Sequence, residues 1–112
     1  MDILEIYKAL SDINRIKIIN ILLEKELCVC EVEAVLEMNQ SNVSRHLNKL
    51  KYAGIVKGRK ESQWVYYSMD TSFLEKYPNL VNHLKSSFSE YNELVEDLVT
   101  LRELTKEGSI CT

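Results

Sequence analysis

Residues 40–56, QSNVSRHLNKLKYAGIV, decide the fold because they combine a helical apolar stripe with a basic, polar face. The apolar residues follow one another at spacings of four, three and three, as one face of a helix requires: Val43, Leu47, Leu50 and Ala53. A polar turn precedes the stretch, Ser41 is placed to cap the helix, and Gly54 is placed to end it. The opposite face carries Asn42, Arg45, His46 and Lys49.

The basic side chains of the protein concentrate around this helix. Although the net charge of the 112-residue chain is -3, residues 39–60 contain six Lys and Arg residues and no acidic residue. A basic patch of this kind is a candidate site for a polyanion such as nucleic acid. A solvent-exposed basic face without a ligand is the alternative that charge alone leaves open.

Helical patterns precede the stretch and a strand pattern follows it. The apolar spacing predicts a helix that ends near Leu10, a second helix from Ile13 to Glu24, and a short third helix over residues 28–37. Residues 55–60 and 64–69 are two β-like runs that predict a hairpin. This order of elements is that of a mainly α-helical winged helix-turn-helix with a small β-hairpin.

In a helix-turn-helix, the second helix enters the major groove and its N-terminal residues meet the base edges. Side chains that donate and accept hydrogen bonds occupy those positions here, and such side chains read bases and bind phosphates. We therefore expect double-stranded operator DNA as the partner, contacted by this helix and by the tip of the hairpin. The expected DNA-contacting residues are Gln40, Ser41, Asn42, Ser44, Arg45, His46, Lys49, Arg59 and Lys60.

The C-terminal third predicts one long helix. Pro78 is placed to open it, and neither Gly nor Pro interrupts it before Lys106. A helix of about 29 residues would be about 43 Å long, so a second copy is the simplest cover for its apolar stripe. We expect a homodimer formed by residues 78–106 together with the N-terminal helix, and a flexible tail over 107–112. The expected seam residues are Leu84, Phe88, Tyr91 and Val95.

Length and composition describe one domain over residues 1–112. With 46% apolar and 28% charged residues, three Gly and one Pro, the chain is neither collagen-like nor a disordered linker. No apolar run approaches the roughly 20 residues that span a bilayer, and an acidic residue at position 2 argues against a secretory signal. We expect a cytoplasmic protein with no membrane partner.

Several segments resemble the ArsR/SmtB family of metal-responsive repressors. Besides residues 40–56, they are ALSD (9–12), RIKII (15–19), ELCVCEV (26–32) and the hairpin segment KGRK...WVYYS (57–68). The resemblance covers about residues 3–69 and departs from the family at Asn14, where many members have a Pro-Thr type pair before the arginine. It implies a dimeric repressor without enzymatic activity that binds operator DNA when metal-free and leaves it when metal binds.

The three cysteines are the second informative feature, and their odd number indicates thiols rather than a disulfide scaffold. Thiolates select soft ions, but Cys28 and Cys30 would lie about 200° apart on an ideal helix. One or both could instead be small buried apolar residues. The family resemblance implies that Cys28 and Cys30 bind As(III) or Sb(III), with Cys111 either a third ligand or a tail thiol without a role.

Two other functions stay open from the sequence. The same fold could sense Cd(II) or Pb(II), with Zn(II) less expected, or it could sense oxidants through thiol chemistry. A function of a different class is a helical protein-interaction module that dimerises without binding DNA.

Overall fold

A computed structural model of the chain describes residues 2–108 and residue 111. Within this part of the chain there are seven helices and three strands, and the described helices and strands surround one hydrophobic core. Their bounds are α1 Ile3–Leu10, α2 Ile13–Leu22, β1 Leu27–Cys28, α3 Val29–Leu36, α4 Gln40–Tyr52, β2 Val56–Glu61, β3 Trp64–Met69, α5 Thr71–Lys76, α6 Pro78–Phe88 and α7 Asn92–Leu104.

Side-chain caps fix where several helices begin. Asp12 caps α2 by accepting hydrogen bonds from the backbone N–H groups of the first turn, an interaction worth about 1 kcal/mol. The predicted cap of α4 was wrong by two residues. Asn39 is the cap, because its Oδ1 accepts the Asn42 N–H at 2.9 Å, and Ser41 lies inside the helix with its hydroxyl donating to the same oxygen at 3.1 Å.

The sheet has three antiparallel strands in the order β1-β3-β2, so the predicted hairpin is only part of it. Strands β2 and β3 form that hairpin, with Val56 opposite Met69 and Glu61 opposite Trp64. The short strand β1 adds to the other edge of β3, with Cys28 opposite Tyr66. Two residues are too few to show an alternating pattern, which is why the sequence predicted a helix from residue 28.

The core lies between α2, α3, α4 and the start of the hairpin. The predicted apolar stripe of α4 is confirmed, since Val43, Leu47 and Leu50 are fully buried. The opposite side of the core comes mainly from the isoleucines of α2, which reach it because α2 is apolar around most of its circumference. This packing presents the polar face of α4 outward.

The predicted single helix over residues 78–106 was wrong, because the chain breaks between α6 and α7. Helix α6 ends at Phe88, and Tyr91 has extended backbone angles, φ -102° and ψ 117°. The hydroxyls of Ser87 and Ser89 donate to backbone carbonyls one turn earlier, at 3.2 and 2.6 Å, an interaction that competes with the regular helical pattern. The structure therefore has two shorter helices where the sequence predicted one helix of about 43 Å.

Helix α7 packs on its own chain, mostly against α2 and α3. Its apolar residues Leu94 and Leu101 are buried there. The buried Asn20 amide of α2 donates to the Leu94 carbonyl at 2.9 Å, and Arg102 forms a two-point ion pair with Glu24. A straight continuation of α6 would lose these contacts, so they account for the break.

In the tail predicted over residues 107–112, Cys111 is bonded to Cys30. Residues 109, 110 and 112 of that tail lie outside the described residues. Across residues 2–108 and 111, no helix is both long and apolar enough to pass through a bilayer.

Candidate nucleic-acid interface and thiol cluster

Helix α4 presents the first half of the candidate interface. The apolar stripe anchors the helix in the core, and the Asn39 cap fixes the direction of its first turn. Gln40, Ser41, Arg45 and Lys49 are exposed, whereas Asn42 and Ser44 are half-buried. All six side chains are thus at least partly accessible, and their contact with DNA stays a prediction.

Arg45 is oriented by its own helix. Its Nη2 donates to Asn42 Oδ1 at 3.1 Å, three residues earlier. Asn42 in turn has its backbone N–H bound by the Asn39 cap. The guanidinium is thus held near the N-terminal turn of α4 while its remaining donors face solvent, an arrangement suited to a base edge or a phosphate.

His46 does not lie on the outer face, so its predicted role in DNA contact was wrong. Its side chain is 2% exposed, and its Nδ1 lies 3.4 Å from Nη1 of Arg15 in α2. Burial lowers the pKa of the imidazole, although the carboxylate of Asp12 acts in the opposite direction. At 100° per residue, position 46 lies between Leu50 and Ala53 on the helical wheel, so α4 turns this side chain into the core together with the apolar stripe.

Arg15 holds three helices together, a role that the sequence analysis did not assign to it. Its Nε donates to the Ala9 carbonyl at 2.7 Å and its Nη2 to the Lys8 carbonyl at 3.3 Å, which satisfies the end of α1. Because the guanidinium also reaches His46, one side chain joins α1, α2 and α4. A basic residue two positions after the start of a helix carries no local sign of this role.

The hairpin presents the second half of the candidate interface. Lys60 is exposed on β2, and the turn at residues 62–63 forms the tip, with Ser62 in the left-handed region at φ 58°. Arg59 and Lys60 therefore lie just before the tip rather than at it. Arg59 differs from Lys60 because its guanidinium is engaged by Glu26 and Glu61.

The three cysteines meet around the start of α3. Cys28 is buried at the end of β1 and caps α3, with its backbone N–H donating to Glu31 Oε1 at 3.0 Å. Burial raises the pKa of its thiol. Cys30 and Cys111 form a disulfide with their Cα atoms 6.2 Å apart. Three thiols were expected from the sequence, and the structure instead has one thiol and one disulfide.

A soft ion fits part of this donor set. The disulfide holds the sulfur atoms of Cys30 and Cys111 together, so after reduction both lie within reach of one ion. Cys28 is two residues away, but its side chain belongs to the core. In the part of the chain that the structure describes, no group of three or more Cys, His, Asp and Glu side chains is arranged to hold a metal.

The four expected seam residues separate into two pairs. Leu84 and Phe88 are buried within the protomer, so they pack on their own chain rather than on a partner. Tyr91 is 67% exposed and Val95 41% exposed. The break after α6 causes this separation. Other large apolar side chains that remain exposed on α1 and α7 are Ile3, Leu4, Tyr7, Val99 and Leu104.

The sequence has clear relatives. The chain is 47% identical over 77 residues to a cadmium resistance transcriptional regulatory protein CadC homolog of Staphylococcus aureus, an alignment that covers 68% of this chain and 64% of that protein. It is 45% identical over 65 residues to the arsenic resistance transcriptional regulator ArsR1 of Pseudomonas putida, covering 57% of this chain and 51% of that one. These alignments thus span less than two thirds of either relative.

A third relative is covered almost completely. An uncharacterized HTH-type transcriptional regulator of Methanocaldococcus jannaschii is 41% identical over 81 residues, which are 71% of this chain and 91% of that protein. Among solved structures, the homodimeric winged helix-turn-helix DNA-binding domain of a possible ArsR-family transcriptional regulator from Mycobacterium bovis has a TM-score of 0.66 at 26% identity. That alignment covers 79% of this chain and 82% of the solved one.

The winged helix-turn-helix predicted from the sequence agrees with these likenesses. In addition, residues 12–57, which extend from the cap of α2 into β2, match the family model described as bacterial regulatory protein, arsR family. The chain belongs to the arsR family of bacterial regulatory proteins.

Proposed function

We propose that this protein is a homodimeric transcriptional repressor that binds operator DNA and is released by a thiophilic metalloid, As(III) or Sb(III). The observation that carries the DNA-binding part is the outer side of α4, where Arg45 is oriented by Asn42 and no acidic residue occurs between positions 39 and 60. A phosphate backbone that contacts α4 meets only neutral and positive side chains of that helix, because residues 40–52 contain no acid.

Selection from a randomised duplex library tests DNA binding without a chosen operator sequence. We expect recovery of a duplex with two related half-sites, one for each α4 of a dimer. Arg45→Ala should weaken binding to that duplex by about 1–3 kcal/mol. Lys85→Ala, which removes an exposed cation from α6, is the matched control and should leave the affinity unchanged. Equal binding of all duplexes regardless of salt would contradict the proposal.

The thiols supply the inducer site in this proposal. Reduced Cys30 and Cys111 provide two adjacent sulfur ligands, and Cys28 lies at the start of the same helix. The names of two relatives refer to cadmium and arsenic resistance, which supports a soft ion as the signal. Binding there would pull on α3, which packs against α4, and so disfavour the DNA-bound shape. Linkage requires DNA to weaken inducer binding by the same factor.

Titration of the reduced protein-DNA complex with As(III), Sb(III), Cd(II), Pb(II) and Zn(II) in parallel tests the inducer. We expect release by As(III) and Sb(III) at the lowest concentrations. The double variant Cys28→Ser, Cys30→Ser should bind DNA and resist release, and Cys111→Ser should need more As(III). Release of the double variant with unchanged sensitivity would place the sensory site elsewhere.

Thiol oxidation is a second candidate signal, and the bond between Cys30 and Cys111 favours it. In that reaction the two thiols lose two electrons and two protons, which reduce one molecule of peroxide to two of water. Peroxide should then change the DNA affinity of the wild type and of Cys28→Ser, but not of Cys111→Ser. Identical affinities of oxidised and reduced wild type would eliminate this candidate.

A further inference from the structure

Arg59 on the hairpin is held by two carboxylates. Its Nε donates to Glu26 Oε2 at 3.0 Å and its Nη2 to Glu26 Oε1 at 2.8 Å, so the pair is two-pointed. Its Nη1 lies 3.3 Å from Glu61 Oε2. The guanidinium carbon lies 4.8 Å from the centre of the Tyr66 ring. Every nitrogen and one face of the guanidinium therefore have a contact.

The two ends of this ion pair come from opposite edges of the sheet. Glu26 immediately precedes β1, Arg59 lies on β2, and Tyr66 on the middle strand β3 is opposite Arg59 in the register. The strands thus fix the distance between the carboxylate and the guanidinium. A geometry that the sheet sets in advance costs little side-chain entropy, unlike most exposed ion pairs.

Arg59 contrasts with its neighbour on the same strand. Among the described residues, no hydrogen bond or ion pair of the Lys60 side chain is found, and that side chain is exposed. Both residues belong to the stretch 39–60 that has no acidic member of its own. The carboxylate in two-point contact with Arg59 comes from 33 residues earlier in the chain, and the second carboxylate, Glu61, follows the stretch directly.

A carboxylate in two-point contact with arginine has the same donor-acceptor geometry as a phosphate. We infer that Glu26 occupies the place of a DNA phosphate on Arg59, and that this internal ion pair withholds one cation from the interface and lowers the affinity for DNA. Glu26 is then a residue that sets DNA affinity without contacting DNA. This inference rests on the DNA-binding function proposed above.

The variant Glu26→Gln tests the inference, with affinity measured by fluorescence anisotropy on the selected duplex between about 50 and 200 mM salt. The substitution removes the two-point carboxylate and leaves Glu61 on the third nitrogen, so Nε and Nη2 of Arg59 become available, and the affinity at the lower salt concentration should rise about fivefold. One additional phosphate contact also makes the slope of log affinity against log salt steeper by about 0.9. When the salt concentration rises fourfold, the affinity of the variant should therefore fall about 3.5-fold more than the affinity of the wild type does.

Two further variants separate this effect from a general loss of negative charge. Glu24→Gln removes the same charge two residues away, from a carboxylate that makes an equivalent two-point pair with Arg102. This variant should change the DNA affinity less than about twofold, as expected for the loss of one exposed surface charge. Arg59→Gln should have little effect in the wild type but should abolish the gain in the Glu26→Gln background. This dependence of one substitution on the other is what we expect if Glu26 and a DNA phosphate compete for Arg59.

The inference is overturned if Glu24→Gln raises affinity as much as Glu26→Gln, or if Arg59→Gln weakens the wild type and the Glu26→Gln variant by the same factor. It is also overturned if Glu26→Gln, with an unchanged melting temperature, binds DNA as the wild type does. Failure of both proteins to bind any duplex would remove the proposed function and the inference together. Binding by Glu26→Gln alone would support the inference.

Discussion

Cys30 near the start of α3 is joined to Cys111, 81 residues later, with the two Cα atoms 6.2 Å apart. The bond ties the chain beyond α7 to the helix that packs against α4. Most of the protein lies between the two cysteines. The oxidation state of this pair therefore affects both the stability of the fold and the elements nearest to the candidate interface.

The oxidised protein should be more stable than the reduced protein. Closing a loop of this size restricts the unfolded chain, and we expect a difference in the free energy of unfolding of about 3–5 kcal/mol. Urea denaturation with and without reductant measures it. Cys111→Ser should have the stability of the reduced wild type under both conditions, and a variant that still responded to reductant would show that another pair forms.

The stability of the protein should fall as the pH is lowered through the range of histidine titration. Burial beside Arg15 lowers the pKa of His46 below its ordinary value of 6.5, so the unfolded chain binds more protons than the folded one in that range. The contribution of neutral His46 to the free energy of unfolding is complete above pH 6.5, and it is lost as the pH falls toward the pKa of His46 in the folded state. In His46→Gln the decline between about pH 7 and pH 5 should be smaller, as measured by thermal unfolding.

His83→Gln is the control for this pH effect. The chain contains two histidines, and His83 is exposed on α6. We expect this variant to keep the pH dependence of the wild type. If both histidine variants lost the decline to the same extent, the burial of His46 would not be its cause.

Lys17 of α2 should be required to hold α7. Its Nζ lies 2.7 Å from Glu93 Oε1 and 3.3 Å from Asp97 Oδ2, and the side chains of Lys17 and Asp97 are both 14% exposed. Lys17→Met leaves the Asp97 carboxylate buried without its cation, which should reduce the free energy of unfolding by about 2 kcal/mol at pH 7. Urea denaturation measures the loss.

Acidification should reverse part of that loss. Burial raises the pKa of Asp97, and without Lys17 nothing on α2 opposes the rise. Protonation of Asp97 then favours the folded state, so the difference between Lys17→Met and the wild type should shrink as the pH falls from about 7 to 4. The double variant Lys17→Met, Asp97→Asn should recover stability at neutral pH. A constant difference at all pH values would contradict this account.

A dimer should depend on the exposed side of α7. Val95 and Val99 are one helical turn apart and are 41% and 51% exposed, so two glutamates there leave the protomer core intact. The pair Val95→Glu, Val99→Glu should give monomers in sedimentation velocity and lose specific binding to a two-half-site duplex. Phe88→Glu is unsuitable because Phe88 is buried and the variant would unfold. Tyr52→Glu, exposed on α4, should remain a dimer.

Local patterns were enough to predict the helix-turn-helix and its outer face. The spacing of Val43, Leu47 and Leu50 determines which side of α4 is buried, and the remaining positions follow from helical geometry. His46 was the exception, because its polar side chain was assigned to the outer face although helical geometry places it between Leu50 and Ala53. Its contact with Arg15 of α2 could not be predicted from α4 alone.

Features that depend on distant residues could not be predicted in this way. Continuous helical spacing from residue 78 gave no sign of the break after Phe88, which arises because Leu94 and Leu101 pack on α2 and α3. Similarly, the ion pair between Arg59 and Glu26 depends on the order of strands in the sheet. Counting the charges of residues 39–60 alone makes Arg59 look like an available cation, because its partner Glu26 lies outside that stretch.

Arg15 makes the position of α4 depend on α1. Its guanidinium binds the last carbonyls of α1 and contacts His46 within α4, so the two helices cannot rotate independently without breaking those contacts. Any copy of the chain that packs on the exposed Leu4 and Tyr7 of α1 is consequently held at a fixed offset from α4. In a two-fold assembly that uses this side of α1, the Arg15 contacts would therefore help to set the separation of the two α4 helices, which has to suit half-sites that repeat about every 34 Å.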